Sequence, residues 1–166
     1  GIYTNKDYGN VRGLELKLDY SFNNLFIQTN YTYQFTRGNA DNPAQTFNRQ
    51  GSSIDKVIRF IPMSWDQRHT FNISIGYNTP SYGISAVSYF NSGTAYTFEP
   101  PDVSVQQSTN TDPNNEFKPS SVSVDIRGHY SFSVYSNIKI KLGFSIYNLF
   151  DRLNEVDVYN DTGRAY

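Results

Sequence analysis

The sequence predicts an all-β fold of antiparallel transmembrane strands, part of a barrel larger than its own strands could close. Three observations predict it. Six stretches alternate apolar with polar residues one for one. Along the apolar face, aliphatic residues lie toward the middle and aromatic residues toward the ends. The connections between stretches alternate between short and long. A period of two sends successive side chains to opposite faces of a strand.

The first strand is expected over 11–22, where Leu14, Leu16, Leu18, Tyr20 and Phe22 alternate with Gly13, Glu15, Lys17, Asp19 and Ser21. Asn23-Asn24 supplies a tight turn, because Asn tolerates the positive φ that short hairpins need. The second strand, 25–37, gathers Leu25, Ile27, Tyr31, Tyr33 and Phe35 on one face. A polar loop is expected over 38–64. The third strand, 66–78, carries Phe71, Ile73, Ile75 and Tyr77, and Thr79-Pro80-Ser81 turns the chain back. The fourth, 82–96, has the weakest pattern. A second long loop, 97–119, contains Pro100, Pro101 and Pro113. The fifth strand, 121–132, sets Val122, Val124, Ile126, Tyr130 and Phe132 against Ser123, Asp125, Arg127, His129 and Ser131. After a turn near Val134–Asn137, the sixth, 138–149, sets Ile138, Ile140, Leu142, Phe144 and Ile146 against Lys139, Lys141, Gly143, Ser145 and Tyr147.

Composition narrows the function classes. The chain has 166 residues, a net charge of −1 and no cysteine. No basic stripe suits a phosphate backbone, so nucleic acid is not an expected partner. Disulfide frameworks and thiolate metal sites are excluded. No apolar run approaches the ~20 residues of a membrane helix. Mean hydropathy is −0.58, but alternation cancels hydropathy in barrels and makes that test blind. Fourteen Tyr and twelve Phe are too many aromatics for a disordered chain.

The alternative is a soluble all-β binding module whose apolar faces meet in a core. Two features favour a bilayer. Rings near strand ends match headgroup level: Tyr20, Phe22, Tyr77, Tyr82, Tyr130 and Phe132 would form one girdle, and Tyr31, Tyr33, Phe35 and Trp65 the other. The strands are also long. Ten residues at about 3.3 Å, tilted about 40°, span about 25 Å, the height of an outer-membrane apolar band. The expected lipid-facing residues are Leu14, Leu16, Leu18, Ile73, Ile75, Val124, Ile126, Ile140 and Leu142. The short turns would then be periplasmic and the long loops extracellular. Six strands cannot close such a barrel, since the smallest have about eight, and open edges in lipid would leave orphan peptide groups.

Five segments resemble the C-terminal barrel region of TonB-dependent outer-membrane receptors, particularly those carrying a carboxypeptidase-regulatory-like domain ahead of the plug. They are Tyr8-Gly9-Asn10-Val11-Arg12-Gly13-Leu14-Glu15, Tyr31-Thr32-Tyr33-Gln34, Trp65-Asp66-Gln67-Arg68-His69-Thr70, Ser92-Gly93-Thr94-Ala95-Tyr96-Thr97 and Asn148-Leu149-Phe150-Asp151. Ala95 stands where the family usually has Pro. The resemblance implies a plugged barrel of about 22 strands in the Gram-negative outer membrane. It also implies TonB-energised uptake of a scarce ligand by the complete receptor. Implied partners are outer-membrane lipid, the plug and remaining strands, and TonB through the N-terminal part. A second reading is a structural scaffold in an outer-membrane complex, with a surface lipoprotein or other outer-membrane proteins as partners. The plug, the TonB-interacting segment and the closing aromatic-ended strand of that family are not matched in this sequence.

No catalytic residue, metal site or cofactor is expected, and an enzyme is the least favoured class. Asp66 and Arg68 are expected to face the lumen as a pair that fixes the start of the third strand, with His69 on the lipid side. Two distant histidines offer too few ligands for a metal. Glu15, Lys17 and Asp19 form a lumen-facing ladder. Asp125, Arg127 and His129 form another, expected to neighbour Lys139 and Lys141. For ligand contact the loop residues Phe47, Arg49, Phe60, Trp65, Phe98 and Phe117 stand out, because aromatic and Arg side chains are enriched at recognition surfaces.

Overall fold

A computed structural model describes residues 7–42, 44, 45, 47, 60–99, 112–135 and 138–165. The strands are β1 (Gly9–Phe22), β2 (Leu25–Gly38), β3 (Ile61–Pro62), β4 (His69–Asn78), β5 (Tyr82–Asn91), β6 (Ala95–Tyr96), β7 (Glu116–Phe117), β8 (Ser121–Tyr135) and β9 (Ile138–Ile146). The long strands form one meander in the order β1-β2-β4-β5-β8-β9, and every pair is antiparallel. β3 adds to the top of β2, while β6 and β7 pair separately. β1 and β9 stand at the two edges, and the sheet does not close on itself.

The turns follow from local chemistry. Asn23 takes φ 49° between β1 and β2, a conformation Asn accepts at little cost. Thr79 closes the β4–β5 turn, its backbone N–H donating to the Tyr82 carbonyl at 2.7 Å. The β8–β9 turn at 136–137 lies outside the described residues. An extra residue near Val134 shifts the register between Ser133 and Tyr135, so β8 runs on past Phe132.

Register carries the alternation across the whole sheet. One row reads Tyr20, Ile27, Ile75, Ala86, Ile126 and Ile146, and the next toward the loops reads Leu18, Thr29, Ile73, Ser88 and Val124. Toward the turns lie stacked rings: Tyr77 with Tyr82 at 6.1 Å, and Tyr130 with Phe132 at 6.0 Å. Toward the loops, Tyr33 meets Phe35 edge-on at 4.9 Å. The opposite face reads Asp19, Gln28, Ser74, Val87 and Asp125 in one row.

Among the described residues, no second layer covers the apolar face. Leu14, Leu16, Leu18 and Leu142 are 55, 55, 56 and 60 % exposed. Among the described residues, the buried apolar side chains are Ile61, Met63 and Ala95, all at the loop end. A soluble sandwich would bury this face in its core; among the described residues the buried apolar side chains form a small knot at the rim.

Three further strand ends stop short of the alternation pattern, while β1 starts earlier, at Gly9, and β2 ends one residue later, at Gly38. β4 begins at His69 rather than Asp66, because Gln67 leaves the β2 side and bridges Thr94. The expected fourth strand breaks after Asn91 and resumes as β6 against β7. β9 stops at Ile146, since Asn148 at φ 49° leaves the extended region.

Candidate functional site

The loop-bearing rim is where the chain concentrates its buried polar chemistry. Above Tyr33, β2 outruns β4, whose last paired residue is His69. The peptide groups of β2 still need partners there. Residues 61–68 supply them. Gln34 N–H donates to the Arg68 carbonyl at 3.0 Å, and Met63 N–H donates to the Thr36 carbonyl at 3.0 Å. Thr36 N–H donates to Asp66 Oδ1 at 2.7 Å.

Asp66 is fully buried, and its second oxygen accepts from Arg68 Nε at 2.7 Å. The Arg68 guanidinium lies 4.4 Å from the centre of the Phe35 ring and 5.0 Å from that of Phe117. Charge, hydrogen bond and ring contact thus converge on one side chain. The alternation that sends Asp66 and Arg68 to the lumen does not reach them, because β4 starts after both. Asp66 is sealed inside the rim, and Arg68 lies over Phe35, which shares a row of rings with Tyr33. His69 does share the face of Tyr31 and Tyr33: Tyr31 Oη and His69 Nδ1 are 2.8 Å apart, and Tyr33 stacks on the imidazole at 4.9 Å.

Asn114 ties the two long loops together. It sits buried at φ 57°. Its Nδ2 donates to Asp41 Oδ2 at 3.0 Å and to the Pro62 carbonyl at 2.9 Å. Asp41 Oδ1 also accepts Ser64 N–H at 2.8 Å.

A second group caps the loop end of β8. Beyond Ile146 the β9 ladder ends; Leu149 N–H still donates to the Val124 carbonyl at 2.8 Å, and side chains make the remaining contacts. Asn154 accepts Val122 N–H and donates to the Val122 carbonyl, both at 2.9 Å, as a strand residue would. Asp125 Oδ1 accepts Asn148 N–H at 2.9 Å. Lys118 Nζ reaches Asp157 at 2.8 Å. The Lys118 contact, with help from Val158 N–H, holds the Asp157 carboxyl below the usual carboxylate range. Tyr96 moves the other way: burial first, then the Glu116 charge, raises its phenol.

Between these groups, on the polar face, opens a cleft of about 450 Å³. Gln67, Tyr89, Asn91, Lys118, Asn154 and Glu155 line it. Its donors, acceptors and one ring suit a polar ligand entering from the loop side. Among the described residues, no cluster of His, Asp or Glu could hold a metal ion.

The expected ligand-contacting residues are dispersed. Phe117 carries Arg68, and Phe60 meets Tyr8 edge-on at 5.1 Å. Phe98 is held by Asn115, whose side chain bonds both its N–H and its carbonyl. Phe47 and Trp65 are exposed. Arg49 lies outside the described residues. Among the described residues, no ring pair joins two of these aromatics.

The charged ladders differ from each other. Lys17 and Asp19 pair at 3.1 Å on an exposed edge, a contact worth about 0–1 kcal/mol. Glu15 stands opposite Thr32. The β9 lysines neighbour the His129 end of the Asp125, Arg127 and His129 ladder and lie away from Asp125. Register sets Lys141 opposite Ser131 and Lys139 opposite Ser133, well toward the turn end. Arg127 and His129 line a cleft of about 270 Å³ on the polar face with Asn78 and Ser145.

Alternation does not reveal Thr36, Asp41, Asn114, Asn148 or Asn154. The one local signal is asparagine at positive φ in a Pro-Asn-Asn or Asn-Leu-Phe-Asp setting. Asn154 has none, since it acts 32 residues away in sequence.

Compared with known families, residues 1–149 match the family described as TonB dependent receptor-like, beta-barrel. No curated protein and no solved structure matches the chain.

Proposed function

Because the chain belongs to the TonB-dependent receptor-like β-barrel family, we propose that it is barrel wall of an outer-membrane receptor that takes up a scarce ligand with energy relayed by TonB. The family is one of receptors and transporters rather than enzymes. The observation that carries the reading is the pair of unlike faces. Among the described residues no layer covers the apolar face of the six long strands, while the polar face carries two clefts lined mostly by polar and charged side chains. A sheet of that kind is at home with hydrocarbon on one side and a wet lumen on the other.

In this reading β1 and β9 each pair with further strands of a barrel of about 22, in a receptor of the carboxypeptidase-regulatory-like type. The turns of β1–β2 and β4–β5 are periplasmic, and the rim knot is extracellular. The cleft by Tyr89, Asn91 and Lys118 faces the lumen below the loops, where an arriving ligand first meets the wall.

The test is capture of the periplasmic part of TonB by the complete receptor in micelles. Saturable binding supports energised uptake. Absence of binding by a receptor that is folded and inserted would overturn it in favour of a scaffold role.

A further inference from the structure

On the apolar face, near the loop end of β1 and β2, lies a cleft of about 600 Å³. Its floor and walls are Leu14, Tyr33, Phe35 and Phe60, and its polar edge is Arg12 and Arg37 with Asn10. Register places Arg12 opposite Phe35 and Asn10 opposite Arg37, so the two arginines are diagonal neighbours on one face. Such neighbours lie about 7–8 Å apart at the backbone, within reach of one shared anion.

Two guanidiniums on a greasy face need a partner. Asn10 Oδ1 accepts from Arg12 Nε at 2.9 Å, a neutral contact. Among the described residues, no carboxylate pairs with either arginine. Glu15 and Asp19 alternate to the other face, and Asp7 is engaged by Asn39. Both arginines are exposed.

The position says what kind of anion fits. The arginines sit at the level of the Tyr33, Phe35 and Phe60 rings, and the Leu14, Leu16, Leu18 column runs from there into the apolar band. Rings at that level mark the headgroup zone of a bilayer. A free phosphate would leave the apolar walls bare. A lipid satisfies both halves, with phosphate oxygens on the guanidinium forks and a chain on the leucines. Basic pockets beside membrane-spanning walls suit lipid phosphates for that reason. We infer that Arg12 and Arg37 clamp the phosphate of a phosphorylated outer-leaflet lipid, its chain lying along Leu14, Leu16 and Tyr33. The inference rests on the barrel-wall reading above.

The test uses the complete receptor in dodecyl maltoside micelles and lipid A as probe, with dephosphorylated lipid A as control. Wild type should bind lipid A saturably, more weakly as salt rises. The double variant R12Q/R37Q should bind at least about tenfold more weakly, and R12K/R37K should retain most of the affinity. Phe60→Ser, which leaves both charges, should weaken binding to the phosphorylated and dephosphorylated forms alike. If R12Q/R37Q does not fold, R12Q and R37Q singly should each weaken binding about threefold or more. Equal affinity of wild type and the glutamine variants, or of the two lipid forms, overturns the inference. Carbonate-resistant insertion of the complete receptor into vesicles separates the two readings. Failure to insert overturns the barrel wall and the lipid clamp together. Insertion with unchanged lipid binding overturns the clamp alone.

Discussion

Replacing Arg68 by Met strips a fully buried carboxylate of the one cation paired with it among the described residues. Asp66 keeps its Thr36 N–H contact at 2.7 Å but loses the 2.7 Å ion pair. Leaving a buried charge unpaired costs about 3–5 kcal/mol. Arg68 itself is 22 % exposed, so water can follow the truncation, and we discount the cost to about 2–3 kcal/mol. Asp66→Asn perturbs the same pair from the other side. It keeps shape and an acceptor for Thr36, and it releases a guanidinium that is already partly wet and sits over Phe35. That should cost about 1–2 kcal/mol. The assay is hydrogen exchange at the Thr36 amide in the complete receptor, which reads local opening of the rim. At about 1.4 kcal/mol per decade, exchange should accelerate about 30- to 150-fold in Arg68→Met and about 5- to 30-fold in Asp66→Asn. Exchange within about threefold of wild type in both variants, or a larger effect from Asp66→Asn, would refute the argument that a sealed carboxylate organises this rim.

Three further outcomes follow from the same structure. A Cβ at Gly93 would collide with the Lys118 carbonyl, so Gly93→Ala should cost about 1–3 kcal/mol. It should also expose the Lys118 amide, which donates to the Thr94 carbonyl at 2.9 Å; unchanged protection there would contradict it. Asp157 is held low by Lys118 and by Val158 N–H. Its contribution is therefore complete above the ordinary carboxylate range and is lost as pH falls through the lowered folded value. Carboxyl-carbon NMR should show the Asp157 midpoint rising in Lys118→Gln, and an unmoved midpoint would break the assignment. Leu18→Arg on the apolar face should cost about 2–4 kcal/mol in a bilayer, whereas Gln28→Arg on the polar face should change insertion little; equal insertion defects in vesicles would argue against the two-sided sheet.

The periodic part of the fold was legible because it is local. Leu14, Leu16 and Leu18 against Glu15, Lys17 and Asp19 can form only a two-faced strand, and Asn23-Asn24 is a turn by its own backbone preference. The all-β antiparallel meander follows from repeating that logic. The rim was not legible, because its bonds span distant positions. Asp66 looks like a strand residue, yet it caps Thr36, 30 residues away. Asn154 substitutes for a strand at Val122 with no pattern around it. Parity failed for Arg68 because parity holds only inside a strand, and β4 starts one residue later. The ladder of Asp125, Arg127 and His129 meets the β9 lysines only at its turn end, for a related reason. Sharing a face does not fix depth, and register sets the lysines opposite Ser131 and Ser133.

The most direct check concerns what touches the apolar face. Nitroxide labels at Leu16→Cys, Ile73→Cys, Ile126→Cys and Leu142→Cys, in the complete receptor in lipid vesicles, should be relaxed by oxygen dissolved in the bilayer and shielded from a water-soluble nickel chelate. Labels at Lys17→Cys, Asn72→Cys, Arg127→Cys and Lys141→Cys should show the reverse. If the two sets respond alike, or if the first set is shielded from both reagents, then protein covers this face and the membrane account is wrong.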